Sequence, residues 1–185
     1  MIKEIIKQAE EKMHKAQEVV RTELVKIRTG KATTALLDGI KVEYYGSPMP
    51  LNQVANISVP DVHMISVQPW DKNMIGPIEK AILAANLGLN PASDGTSLRV
   101  PIPPLNEERR KELVKLVKKF AEEGKVAVRN VRRDGIEHLK KSEKAEHFSE
   151  DERKRAETEI QKLTDKFIKD IDALVTIKEK EIMEV

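Results

Sequence analysis

The change of pattern that decides the fold lies in residues 101–134, PIPPLNEERRKELVKLVKKFAEEGKVAVRNVRRD. Three prolines stand among the first four of these residues, and proline interrupts regular helices. From Leu113 onward apolar residues recur every three or four positions, which is typical of one face of a long helix. Asn106 lies just before this pattern, where its side chain can cap the first turn. We therefore predict that a long helix begins near Asn106.

Two other segments have the same helical period. Between residues 2 and 29 apolar side chains recur at steps of three and four, and Gly30 follows in the position that glycine favours after a helix. Ser149 and Glu152 have the spacing of a capping box, which predicts the start of a third helix. At 1.5 Å per residue, the last two helices would each be about 50 Å long. A lone amphipathic helix exposes its apolar face, so we expect the three helices to pack as a bundle.

The intervening residues 31–105 differ in composition from both flanks. All nine prolines of the chain lie here, at positions 48, 50, 60, 69, 77, 91, 101, 103 and 104. Short β-type runs separated by turn residues predict four strands, at 40–46, 52–59, 63–69 and 97–102. One short helix is predicted at 72–86, with Asp71 as its N-cap.

The predicted fold is therefore α+β with two domains. Residues 1–30 and 106–185 would form a long three-helix bundle, and residues 31–105 would form a smaller domain inserted into it. The chain would pass between the domains at two neighbouring points, near 30–31 and 103–106. Paired crossings of this kind make a hinge.

The residue types present exclude several kinds of site. Because the chain has no cysteine, thiol catalysis, disulfides and cysteine-ligated zinc are excluded. No phosphate-binding loop, nucleophile elbow or metalloprotease motif occurs, so the sequence predicts no catalytic site and no cofactor. The histidines have no metal-ligand spacing and are predicted to be ordinary surface or edge residues: His14, His63, His138 and His147.

The N-terminal residues MIKEIIKQAE are charged and amphipathic, unlike a signal or transit segment. No apolar run approaches the length of a membrane span. We therefore expect a cytoplasmic protein that uses no membrane.

Positive charge is concentrated in the flanking segments. The net charge is only +2, but residues 31–105 hold five Lys and Arg against six Asp and Glu, a balance of −1, which leaves +3 to the flanks. At about 100° per residue, the second long helix places a row of cations roughly opposite its apolar face, interrupted only by Glu122. The row consists of Lys111, Lys115, Lys118, Lys125, Arg129, Arg132, Arg133 and Lys140.

This row has two interpretations. It is either a solvated face, which charge-rich helices commonly have, or a surface that follows the phosphates of a nucleic acid. The three arginines within residues 129–133 favour the second interpretation, because the planar guanidinium group suits phosphate.

The aromatic residues of the inserted segment are expected to serve packing rather than ligand binding. Tyr44 and Tyr45 are neighbours on a predicted strand, so they point to opposite faces and only one of them can easily lie in the core. Packing is favoured over base stacking for them. Trp70 is expected to anchor the core between a strand and the short helix rather than to line a ligand pocket.

Several segments resemble the ribosome recycling factor family. In chain order they are IRTGKATTALLDGIKVEYYG at 27–46, PWDK at 69–72, IEKAI at 78–82, LGLNP at 87–91, PPLNEERRK at 103–111, KVAVRNVRRD at 125–134 and QKLTDKFI at 161–168. They cover nearly the whole chain without a large insertion. Taken together these motifs are highly specific for that family.

The resemblance implies an L-shaped molecule with a tRNA-like outline, in which a small β/α/β sandwich domain is inserted into the three-helix bundle. Proteins of this family bind the post-termination ribosome, mainly through large-subunit ribosomal RNA. With elongation factor G and GTP they promote dissociation of the ribosome into subunits, which are reused in translation. The resemblance thus implies a monomeric translation factor that is not an enzyme and has no cofactor.

The resemblance also implies roles for individual residues. Arg129 and Arg132 are the expected central contacts to RNA. The expected supporting contacts are Arg133, Arg110, Lys125 and Arg28. The expected hinge consists of Gly30, Lys31, Pro104 and Leu105.

Two other classes of function remain as alternatives. A helical scaffold or chaperone that grips proteins would expose an apolar patch and would have no preference for RNA. An enzyme acting in the inserted domain would need a pocket with converging polar groups, for which the sequence has no candidate residues. Binding to purified ribosomes would separate these classes.

Overall fold

The computed structural model describes residues 1–146 and 148–184, and His147 therefore lies outside the described residues. Two structural units are present: Met1–Arg28 together with the chain from Asn106 onward, and Thr29–Leu105. In the described residues the helices and strands follow in the order α1 Ile2–Val25, β1 Lys41–Tyr44, β2 Ser47–Pro50, α2 Leu51–Val54, β3 Ala55–Asp61, β4 Met64–Pro69, α3 Ile75–Ala84, β5 Ala92–Ser93, β6 Leu98–Pro101, α4 Glu107–Glu146 and α5 Glu150–Met183.

The first unit is the predicted three-helix bundle. Each of α1, α4 and α5 packs on the other two. The buried residues of α4 recur at steps of three and four positions. Buried residues on α1 and α5 have a similar spacing, and the three apolar faces pack together to form the core. The most buried large side chains of this core are Met13, Val20, Leu139, Ile160, Ile171 and Ile182.

The predicted helix starts are confirmed by their caps. The Asn106 side chain accepts a hydrogen bond from the backbone N–H of Arg109 at 2.7 Å. Ser149 and Glu152 form the reciprocal bonds of a capping box at the start of α5. These caps satisfy N–H groups that have no partner within the helix.

The predicted end of the first helix is wrong. Helix α1 ends at Val25, five residues before Gly30, and Lys26 rather than a glycine is its C-terminal cap. Ile27 misleads the sequence interpretation because it is buried at the helical spacing although it lies beyond the helix. Gly30 adopts a φ of +76°, but it does so in the segment that leads into the second unit.

The second unit is built from two antiparallel sheets and the two short α-helices α2 and α3. A hairpin pairs β1 with β2, and a four-stranded sheet has the order β3-β4-β6-β5. The sequence interpretation missed β2, whose residues are SPMP, and the two-residue β5. The two prolines of β2 argue against a strand in the sequence, because proline has no N–H donor for the hydrogen bonds that a strand ordinarily makes.

A compact apolar cluster holds this unit together. Ile65 and Val67 of β4 and Leu98 and Val100 of β6 are completely buried, and Ile78 of α3 is buried with them. The predicted N-cap before the short helix is confirmed, since the Asp71 carboxylate accepts a hydrogen bond from the backbone N–H of Asn73 at 3.0 Å. The helix itself begins with a 3₁₀ turn at Lys72–Met74 and continues as α3.

Trp70, which was expected in the core, is exposed, and so is one of the two neighbouring tyrosines. Tyr45 and Trp70 have 74% and 70% of their surface exposed. Tyr45 lies in the two-residue turn between β1 and β2, where both Tyr45 and Gly46 have positive φ, as a type I′ hairpin turn requires. Its hydroxyl donates a hydrogen bond to Asp71 at 2.7 Å, which lowers the pKa of Asp71 and raises the pKa of Tyr45. Only Tyr44 is partly buried, against the apolar cluster.

No helix among the described residues is both long and apolar enough to cross a membrane.

Candidate nucleic-acid interface

One face of α4 carries exposed cations directly opposite its buried side. At about 100° per residue, these cations lie within about 40° of one another around the helix axis. All of them are exposed, and together they define the outer face: Lys111, Lys115, Arg129, Arg133 and Lys140. The buried line through Leu113, Val117 and Val128 lies on the other side of the helix. The helical period alone therefore separates the cations from the core.

Arg129 and Arg133 are the two arginines of the outer face. They are four residues apart and so lie one turn from each other on the same side of α4. Arg129 forms an ion pair with Glu122 at 3.1 Å, in which both side chains are about half exposed. An exposed pair of this kind contributes less than about 1 kcal/mol, so the guanidinium group can exchange Glu122 for a phosphate at little cost.

The second exposed arginine lies beside a carboxylate that is already engaged. Glu137 accepts a hydrogen bond from Lys141, which is the main reason that its pKa is lowered, and the charge of Arg133 lowers it further to a smaller extent. Arg133 is therefore close enough to interact electrostatically with Glu137, while its own side chain stays exposed. Its guanidinium group is open to a phosphate.

Three other cations of the predicted row lie at the edge of α4 that faces α5. Lys118, Lys125 and Arg132 are spaced seven residues apart, which is close to two helical turns. Their partners on α5 are Glu179 at 3.8 Å from the Lys118 ammonium, Asp172 in contact with the Lys125 ammonium, and the Gln161 side chain at 2.9 Å from the Arg132 guanidinium. This row links two helices of the bundle.

The expectation that Arg132 is an exposed residue opposite the apolar face is wrong. Arg132 is half-buried, and its Nε atom is buried without a hydrogen-bond partner among the described residues. Lys125 keeps only 19% of its side chain exposed. Both residues lie where α5 covers the flank of α4, which a helical projection of α4 alone does not reveal.

The remaining predicted contacts lie apart from the outer face. Arg110 precedes Leu113 by three residues, so it lies on the buried side of α4, and its Nε atom has no hydrogen-bond partner in the part of the chain that the structure describes. Arg28 is exposed, but it follows α1 rather than belonging to α4. The structure therefore groups Arg129 with Arg133 and places Arg132 with Lys125, whereas Arg110 lies on the buried side of α4 and Arg28 follows α1.

The comparison with protein families identifies the chain. The family model for the ribosome recycling factor matches residues 20–183. The chain belongs to the ribosome recycling factor family. The relatives agree over full length: the ribosome-recycling factor of Symbiobacterium thermophilum is 58% identical over 185 residues, covering 100% of both chains. That of Sphingopyxis alaskensis is 59% identical over 174 residues, covering 94% of this chain and 95% of the relative.

Solved structures of ribosome recycling factors have the same fold. A solution structure of the ribosome recycling factor, 50% identical, matches with a TM-score of 0.79 and covers 100% of this chain and 98% of its own. The Thermus factor, described as a model of the T. thermophilus ribosome recycling factor and E. coli elongation factor G bound to the E. coli post-termination complex, is 51% identical with a TM-score of 0.64. It covers 99% of both chains. These matches confirm the predicted α+β class with a long helical bundle and a small β-sheet domain.

Membership of the family also confirms that this recycling factor is a translation factor and not an enzyme. Within residues 1–146 and 148–184, no group of three His, Asp or Glu side chains is arranged to hold a metal ion. Of the histidines, His14 and His138 are exposed, whereas His63 is half-buried and lies 2.9 Å from the Gly30 carbonyl oxygen. The sequence had no signal for that contact, because the two residues are 33 positions apart.

Proposed function

We propose that this ribosome recycling factor binds the post-termination ribosome through its helical bundle and, with elongation factor G and GTP, promotes dissociation of the ribosome into subunits. The observation that carries the mode of binding is the outer face of α4, with five exposed cations on one side of one helix. Ribosomal RNA presents phosphates along its surface. When exposed Lys and Arg side chains neutralise these phosphates, counterions bound to the RNA are released, which favours binding. The partners follow from the Thermus relative, which is described on the post-termination complex with elongation factor G.

Within that surface, Arg129 and Arg133 are proposed as the main contacts to RNA. Both are exposed, and the ion pair that Arg129 makes within the protein is weak. Arg132 is proposed to act from the edge of the same surface while Gln161 holds its guanidinium group. Lys125 is the least available of the four, because its ammonium contacts Asp172 and its side chain is mostly buried.

Ribosome splitting is the test of the proposed function. Light scattering of purified post-termination ribosomes should fall when the factor, elongation factor G and GTP are all present, and it should stay constant when any one is omitted. The factor alone should hydrolyse neither GTP nor ATP, because the chain has no phosphate-binding loop with an associated Lys and Ser or Thr. Unchanged scattering with all three components would contradict the proposal.

The role of Arg132 is separable from its place in the bundle. We expect Arg132→Ala to weaken ribosome binding by about tenfold, the effect of roughly one phosphate contact. Gln161→Ala removes the partner on α5 and leaves the cation in place, so ribosome affinity should change by less than about twofold. Binding is measured by competition with labelled wild-type factor, and unfolding by urea reports the stability of each variant.

Two results would contradict this role. Equal affinity of Arg132→Ala and the parent would exclude Arg132 from the interface. An equal loss in both variants would show that the bond between Arg132 and Gln161 acts only by holding α4 against α5.

The two structural units are proposed to have different roles in ribosome splitting. The bundle unit carries the charge balance that suits RNA, and the inserted unit carries a balance of −1 over residues 31–105. We assign binding to the bundle and the response to elongation factor G to the inserted domain. The predicted hinge residues Gly30, Lys31, Pro104 and Leu105 all lie in the unit formed by Thr29–Leu105.

A further inference from the structure

Glu122 lies at the centre of the outer face of α4. At about 100° per residue, it lies within about 20° of all five cations that define this face. Its side chain is exposed. The next residue, Glu123, is also exposed, but it lies about 100° further around the helix axis and therefore outside the face. A carboxylate thus occupies the middle of a surface that otherwise suits phosphate.

The partner of Glu122 lies about two helical turns away. The Oε1 atom of Glu122 is 3.1 Å from the Nη1 atom of Arg129, seven positions along the chain. Cations three or four positions away are the more usual partners of a carboxylate on a helix. Two lysines have that spacing, Lys118 and Lys125, but both form ion pairs with carboxylates of α5 instead.

Val126 occupies the position between the two charged side chains. It follows Glu122 by four positions and precedes Arg129 by three, and it is 45% exposed. An apolar side chain has neither a hydrogen-bond donor nor an acceptor, so it competes for neither charge. Glu122 and Arg129 therefore pair with each other across the middle of the outer face.

The carboxylate opposes RNA binding in two ways. In the free protein it competes with phosphate for the guanidinium group of Arg129. In the complex it would remain among the cations that meet the phosphates, and like charges at close distance repel. Charges enclosed in an interface are screened less than charges on a free surface. A phosphate can replace Glu122 as the partner of Arg129, yet the negative charge of Glu122 stays within the face.

We infer that Glu122 limits the affinity of the outer face for ribosomal RNA and thereby speeds release of the factor from the ribosome. This inference rests on the proposed function, in which the bundle binds ribosomal RNA. A factor that serves many ribosomes must leave its site after each round of dissociation. Glu122 weakens the contact that Arg129 makes and so favours this release.

The test compares substitutions at two neighbouring positions. Glu122→Gln removes one negative charge from the outer face with little change of shape, and Glu123→Gln removes the same charge from outside it. We expect Glu122→Gln to bind ribosomes about fivefold more tightly, which corresponds to roughly 1 kcal/mol, the upper range for an exposed ion pair. The gain should come mainly from slower dissociation. Glu123→Gln should stay within about twofold of the parent.

Binding is measured with fluorescently labelled factor and purified post-termination ribosomes, and release is followed after a chase with unlabelled parent. The gain of Glu122→Gln should shrink as the potassium chloride concentration rises, because salt screens the charge that has been removed. Urea unfolding of each variant checks that the helical bundle is intact.

Two results would overturn the inference. An equal gain in Glu122→Gln and Glu123→Gln would show that net charge alone matters. Weaker binding of Glu122→Gln would show that the carboxylate accepts a hydrogen bond from RNA rather than opposing it. If the parent did not bind ribosomes, the proposed function and the inference would fall together. If the parent bound and Glu122→Gln matched it, only the inference would fall.

Discussion

Gly124→Ala is expected to destabilise the helical bundle by about 2 kcal/mol. A Cβ atom at this position would overlap the Cγ2 atom of Val20, which packs from α1 against α4. Val20 is β-branched and has little freedom to rotate away, so the helices themselves must separate. The loss is expected even though replacing Gly by Ala in an open helix stabilises by about 1 kcal/mol. Urea unfolding followed by far-UV circular dichroism measures the change.

Two further variants isolate the cause of this loss. Gly135→Ala is a milder case, because its Cβ would lie 3.1 Å from the flexible Cδ1 end of Ile160, and we expect a change within about 1 kcal/mol. In a Val20→Ala background the obstruction is removed, so Gly124→Ala should then be tolerated, giving a coupling energy of about 1 kcal/mol or more. Additive effects of Val20→Ala and Gly124→Ala would show that the close approach of the helices is not what requires glycine.

The double variant Arg129→Ala, Arg133→Ala is expected to bind ribosomes about 100-fold more weakly than the parent, which corresponds to roughly tenfold for each of two phosphate contacts. Both side chains are exposed on the outer face, so their removal should leave the stability of the bundle within about 0.5 kcal/mol. The slope of log affinity against log salt should become less steep by roughly 1.5, since each contact contributes about 0.7 to 0.9. Affinity is measured over a series of potassium chloride concentrations.

A charge-matched control distinguishes a local surface from general attraction. The double variant Lys80→Ala, Arg99→Ala also removes two exposed positive charges, but from the inserted domain. It should bind ribosomes within about threefold of the parent. Equal losses in the two double variants would mean that only net charge matters, and an unchanged salt slope in the first would exclude phosphate contacts at Arg129 and Arg133.

Local patterns predicted most of the helical bundle. The starts of α4 and α5 were predicted correctly because Asn106 and Ser149 cap their own helices within three residues. The end of α1 was misplaced because burial of Ile27 continues the apolar pattern after the helical hydrogen bonds have ended. The strand β2 was missed because its prolines oppose a strand in isolation, and only pairing with β1 holds it extended.

The candidate interface was predicted in part. The angular position of Arg129 and Arg133 around α4 follows from the helical period, so their exposure could be inferred from spacing alone. The half-buried state of Arg132 could not, because it depends on the position of Gln161 in α5, 29 residues further along the chain. Trp70 was expected in the core for its apolar surface, yet the sheet unit fills its core with aliphatic side chains.

By itself the sequence determined the three helices, the inserted domain, the segregation of positive charge and the family, because period, caps, composition and motifs are all local or additive properties. The tertiary structure alone decided which cations of α4 remain exposed and which backbone group the His63 side chain contacts. Those outcomes depend on contacts between distant residues, such as Lys125 with Asp172 and His63 with Gly30. Such contacts form only when helices and strands pack together, so no periodic pattern in the sequence predicts them.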